Sequence, residues 1–167
     1  MKIMTTFFVW MELVGLGIWI GGMVILGAVV APTVFGTIKP VEMAGEAMSL
    51  VFHRFNGGWV FVCIGLVVVG FVGKRLTAPK RGLRMKIEAV LLTVLVLSGL
   101  YIGAILGPRM QTLRQITLTD RSNGMAVAEF DQKHKRSVQL FSVNILLGLT
   151  VLWLNSRPSG SGSREET

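Results

Sequence analysis

Four ionisable side chains stand in or against long apolar runs: Glu12, His53, Glu88 and His134. A charge at the centre of a membrane helix costs roughly 2.5 to 3.5 kcal/mol on insertion scales, so each such residue asks for a partner or a use. Glu12 lies about 8 Å into its run at the helical rise, and it shares a face with Gly15, Trp19 and Gly22 that points it into a bundle. Glu88 stands at a similar depth on the same side, with Arg84 as its i−4 neighbour. Two uses fit such acids. One is a proton or cation relay; the other is structural, with Glu12 hydrogen-bonded to fix helix register and Glu88 paired near the interface.

The histidines offer different chemistry. His134, Ser137, Phe141, Asn144 and Gly148 form one polar and small stripe at helical spacing, and His53, Asn56, Val60, Cys63 and Val67 form a comparable one. Neutral imidazoles on neighbouring helices suit haem iron or copper, so haem b or copper is the alternative to plain interfacial hydrogen bonding. Each histidine is alone in its helix, with no HxxxH pair or methionine cluster to complete a ligand set, so no cofactor is favoured. Arg109, directly after Pro108, has the reach to join them. The expectation is an outer polar cluster of His53, Arg109 and His134, closed by Glu46 or by the segment after Arg114, with Asn144 on the same stripe. Cys63 lies deep in an apolar run, where a thiolate is disfavoured. Phosphate-loop, dinucleotide and serine-hydrolase signatures are absent from the sequence, so no catalytic residue is assigned.

Membrane spans must position these residues. A spanning helix needs about 20 apolar residues, and four runs qualify: about 7–30, 55–73, 89–107 and 137–155. Proline should end the first run near Ala31-Pro32. Pro40 opens a short helix through Met48 that should lie at the interface. The segment from Gln111 to Gln132, split by Arg121-Ser122-Asn123-Gly124, extends the third and fourth spans into a small cap. The expected architecture is all-α, a four-span up-down bundle over residues 1–156 with short interfacial helices, followed by a flexible tail over 157–167. The two hairpins show only a loose similarity.

Helices in lipid associate through close packing and hydrogen bonds, which small residues permit. Gly99, Gly103 and Gly107 line one face of the third span, and Gly17 and Gly21 repeat the device in the first. Either set could pack within the chain or against a second copy.

At 51% hydrophobic and 16% charged, the chain departs from the roughly 25% charged composition of soluble domains. Its net charge of +8 accompanies apolar spans, which points to a membrane surface and not to nucleic acid. One cysteine leaves no disulfide framework. Four spans put both termini on one side. The bases divide nine against eight, but six of the nine crowd into Lys74 to Lys86 without an acid, which favours cytoplasmic termini. A bacterial plasma membrane is the default location.

Trp19-x-Gly21-Gly22 leading into Ala31-Pro32-x-x-Phe35, then Gly107-Pro108-Arg109-Met110-x-x-Leu113-Arg114, and Phe130-x-x-x-His134-x-x-Ser137-Val138-x-x-Phe141-x-x-Asn144, resemble the membrane family of unknown function that includes transmembrane protein 205-like proteins. The resemblance implies a four-span membrane protein with no assigned reaction. The arrangement also looks like copper-resistance membrane domains and small four-helix haem proteins, without their richer histidine sets. The combined expectation is a non-catalytic membrane module, an accessory subunit or small oligomer, with the bilayer and either other membrane subunits or itself as partners. A small transporter or channel using Glu12, Glu88 and Asn144 is a further alternative.

Overall fold

A computed structural model describes residues 2–77, 82–119 and 124–156. These form four long helices: α1 (Lys2–Thr37), α2 (Val41–Thr77), α3 (Leu83–Thr119) and α4 (Gly124–Ser156). Each is apolar and long enough to cross a bilayer, and the described residues contain no strand. The chain is an all-α, up-down, four-helix integral membrane protein. The expected flexible tail and the turn at 121–123 lie outside the described residues.

The helices overrun the expected spans for a reason visible in their backbones. Proline removes an N–H and crowds the carbonyl one turn back, which ordinarily stops a helix. Here a wider π turn at Leu26–Val30 precedes Pro32, and another at Ile102–Leu106 precedes Pro108. A π turn displaces the hydrogen-bond register, so the proline ring is accommodated and the helix continues. A third π turn, Phe55–Trp59, holds Gly57-Gly58 and joins the expected interfacial helix directly to the second span. That segment is thus the first turns of α2, not a separate interfacial helix.

Superposing the hairpins in register exposes more than a loose similarity. Glu12 and Glu88, Gly27 and Gly103, Ala28 and Ala104, and Pro32 and Pro108 are all separated by one common interval, so α1 and α3 carry the same acid, π turn and proline. A second common interval relates His53 to His134 and Lys74 to Asn155 on α2 and α4. α1 and α3 thus repeat one pattern, while a single histidine identity relates α2 to α4.

The core lies between the hairpins, with Leu16, Trp19, Ile20 and Met23 of α1 meeting Cys63 and Val67 of α2, Leu92 and Leu95 of α3, and Val151 of α4. Glycines set the closeness of approach. A Cβ on Gly70 would stand 2.6 Å from the Glu12 nitrogen and 2.7 Å from the Phe8 oxygen, and one on Gly15 would stand 3.0 Å from the Cys63 oxygen. Gly99 leaves room for the Trp19 indole, and Gly103 abuts the Asn56 carbonyl. The other sequence-singled glycines behave differently. Gly17 and Gly21 have nothing of this chain within 4 Å, and Gly107 is near only Ile102 of its own helix. They do not pack helices within the chain, because the α1 face that enters the bundle carries Gly15, Trp19 and Gly22 instead.

Candidate functional site

The up-down order brings the start of α1, the end of α2, the start of α3 and the end of α4 to one corner. Glu12, Lys74 and Glu88 are buried there, at 1%, 7% and 5% exposure. Lys74 Nζ stands 2.7 Å from Glu12 Oε2 and 2.5 Å from Glu88 Oε1. It also donates to Asn155 Oδ1 at 3.3 Å, while Asn155 Nδ2 donates to Glu12 Oε1 at 3.0 Å. The Glu12 Oε2 contact is an ion pair off the hydrogen-bond direction. All four helices contribute one side chain each.

The local sequence explains the convergence. Gly70 lets the Glu12 backbone rest on α2, which puts the carboxylate beside the residue one turn further on, Lys74. Glu88 reaches the same ammonium from α3. Arg84, one turn before Glu88, donates to the Leu154 carbonyl near the end of α4, satisfying an otherwise orphaned helix-end acceptor. Two carboxylates thus share one ammonium, and the Arg84 guanidinium is held on the end of α4. The hairpin repeat adds a detail. Asn155 stands where the second hairpin would place a counterpart of Lys74, and Arg84 where the first has Phe8.

Chemically, the corner is a closed ion lock. The Lys74 ammonium sits between the carboxylates. Sequence reasoning missed Lys74 by counting it among the loop bases. The signal was present: Lys74 ends its apolar run at the depth where Glu12 and Glu88 begin theirs, and two buried acids require a cation.

The opposite end is organised in separate pairs. Arg109 makes a forked contact with Glu129, with Nη2 at 3.0 Å from Oε1 and 3.1 Å from Oε2. His53 is exposed beside Gly57, and exposed His134 stacks on Phe130 with ring centroids 6.1 Å apart. Among the described residues, no hydrogen bond or ion pair joins His53, Arg109 and His134. Arg109 instead takes a carboxylate on the neighbouring helix, a stronger partner for a guanidinium than an imidazole. Glu46 lies exposed on α2, across a groove from Arg114 of α3. Arg114 donates to the Glu42 carbonyl at 2.9 Å. Asn144 is buried in the bundle at 1% exposure, away from that surface, and its Oδ1 has no hydrogen-bond partner. Among the described residues, no three His, Cys, Asp or Glu side chains gather as metal ligands would.

Fold and site together define a four-helix integral membrane protein locked at one end by a buried ion network. The chain belongs to the family described as Domain of unknown function (DUF4149), which matches residues 14–117. The match runs from α1 into the last turn of α3. It contains Lys74, Glu88 and all three π turns, while Glu12 and α4 lie outside it. The description does not carry the transmembrane protein 205-like name. No curated protein and no solved structure matches the chain.

Proposed function

We propose that the chain is a non-catalytic membrane module of the transmembrane protein 205-like type, acting as a subunit of a larger membrane assembly or of a small homo-oligomer. The observation that carries this is the outer face of α1. Gly17 and Gly21 form a small-residue stripe in mid-span with nothing of this chain within 4 Å, flanked by exposed Val14, Ile18 and Ile25. Small-residue stripes let a second helix approach closely in lipid. The ion lock supports the same reading, because its buried charges are spent on one another and hold the four helices as one unit.

Gly17→Cys in a Cys63→Ala background should form a disulfide-linked dimer, or a larger adduct with another subunit, under mild oxidation in native membranes. Gly17→Leu should then abolish the species. Monomer migration in every case would overturn the reading. We place the termini in the cytoplasm and the protein in a bacterial plasma membrane, on the density of bases in Lys74 to Lys86. Cysteines at Thr77 and Thr119, challenged with an impermeant maleimide on intact cells, test this orientation. Labelling should occur at Thr119, and labelling at Thr77 alone would reverse it.

A further inference from the structure

Glu88 and Pro108 are twenty residues apart on α3, which at about 1.5 Å per residue is about 30 Å, the thickness of the hydrocarbon core. A bilayer core of that thickness set with the ion lock at one boundary has Pro108 at the other. At that second boundary a groove opens between α2 and α3, lined by Glu46, Ser49 and Leu50 on one side and Pro108, Gln111 and Arg114 on the other. Its lower edge, Leu50 and Pro108, is apolar. Its upper part holds one carboxylate, one guanidinium, a hydroxyl and an amide.

The guanidinium is held in place. Arg114 lies against Gly45, where a Cβ would come 2.7 Å from Nη2, and is anchored on the Glu42 carbonyl. Its Nε is buried without a hydrogen-bond partner. The side chain lines the groove, and among the described residues no ion pair neutralises its charge, so an anionic acceptor entering the groove meets an uncompensated guanidinium. Glu46 across the groove is exposed. A positive and a negative group across one groove, at headgroup depth, above an apolar sill, match a zwitterion with an acyl tail.

We infer that the groove between Glu46 and Arg114 binds the headgroup of an aminophospholipid of the phosphatidylethanolamine type in the leaflet opposite the termini. The phosphodiester oxygens accept from Arg114 and Gln111, and the primary ammonium donates to Glu46 and Ser49. Leu50 and Pro108 meet the glycerol and the first methylenes. The ammonium matters for selectivity, because a choline headgroup bears the same charge with no N–H to donate, and a glycerol headgroup leaves Glu46 facing no cation.

The test uses the full chain in detergent and compares dioleoyl-phosphatidylethanolamine, dioleoyl-phosphatidylcholine, dioleoyl-phosphatidylglycerol, O-phosphoethanolamine and inorganic phosphate. Binding is read by native mass spectrometry and by thermal shift. The ethanolamine lipid should bind about tenfold more tightly than either other lipid, the worth of one good charge-assisted hydrogen bond. Glu46→Gln should bring it level with the choline lipid, and Arg114→Lys should weaken all phospholipids by losing the fork. If Arg114→Lys does not fold, Glu46→Gln decides alone, because Glu46 is exposed and carries no helix contact the fold needs. Equal binding of ethanolamine and choline lipids, preference for the glycerol lipid, or equal protection by inorganic phosphate would each overturn the assignment.

Discussion

The two ends of the bundle use the same kinds of side chain to opposite effect. At the terminal end, Glu12, Lys74, Glu88 and Asn155 meet at one buried point, and Arg84 fastens α4 beside them. At the other end, Arg109 pairs with Glu129 at 52% and 35% side-chain exposure, and Arg114 ties only α3 to α2. Burial makes the difference. A buried ion deprived of its partner has no water to turn to, so the lock holds four helices in one arrangement. Exposed pairs exchange freely with water and lipid headgroups, so that end can present a groove. One end fixes the fold and the other meets the surroundings.

The sharpest way to break this comparison is to remove the hub. Lys74→Met leaves two carboxylates facing each other in the interior, and should cost roughly 3 to 5 kcal/mol, the range for stranding a buried charge. Thermal unfolding in one fixed detergent measures it. Replacing Glu12, Lys74 and Glu88 together by leucine should recover most of the loss, since a well-packed apolar corner needs no ions. A triple variant no more stable than Lys74→Met would show that the network contributes more than the cost of its own burial.

Next in size is the packing that brings the helices to the lock. Gly99→Leu must displace the Trp19 ring, which would stand 2.5 Å from a Cβ at that position and is itself only 1% exposed. Overpacking of this kind costs about 1 to 3 kcal/mol. Gly17→Leu should leave thermal stability within about 0.5 kcal/mol, as a substitution away from any packed contact, while changing assembly. Equal losses at the two glycines would erase the distinction between the inner and outer faces of α1.

How much of this was legible in the sequence follows the same physical divide. The four spans, their alternating direction and the shared depth of Glu12 and Glu88 come from hydropathy and helical rise alone. The helix ends did not, because Pro32 and Pro108 read as breakers and the π turns that absorb them leave no compositional trace beyond a glycine and an alanine. Lys74 was hidden by its neighbours: in a run with Arg75, Lys80 and Arg81 it looks like a loop base, and only its place at the very end of an apolar run, level with two acids, separates it from them. Gly17 and Gly21 show the reverse failure, since spacing identifies a small face but not which way the helix is turned. The outer histidines illustrate a third limit. Their common interval marks equivalent positions in two hairpins, and equivalence does not require contact.

Asn155 tests whether the hairpin repeat is asymmetric for a reason. Asn155→Ala removes the donor to Glu12 and one acceptor for Lys74, and should cost about 1 to 2 kcal/mol, two partly buried hydrogen bonds to charged groups. Asn155→Lys, which would make α4 match α2, should destabilise by a similar amount. Asn155 accepts from Lys74, so an ammonium in its place would set two like charges side by side in a buried corner. A stabilised Asn155→Lys protein would mean that the two carboxylates are short of positive charge.

The smallest effect is expected at the exposed end, where it draws the contrast most sharply. A double-mutant cycle on Arg109→Ala and Glu129→Ala should give a coupling of about 0.2 to 1 kcal/mol, the range for solvent-exposed pairs, even though the guanidinium fork is well formed at 3.0 to 3.1 Å. Geometry alone does not set the strength here, because both groups recover hydration when separated. The coupling should also fall as salt rises through a few tenths molar, where the Debye length shrinks to a few ångströms. The corresponding cycle on Lys74→Met and Glu12→Leu should be several times larger and nearly insensitive to salt. If the outer pair proved as strong and as salt-resistant as the inner one, the two ends would be equally rigid, and the groove beside Arg114 would lose the freedom that lets a headgroup enter.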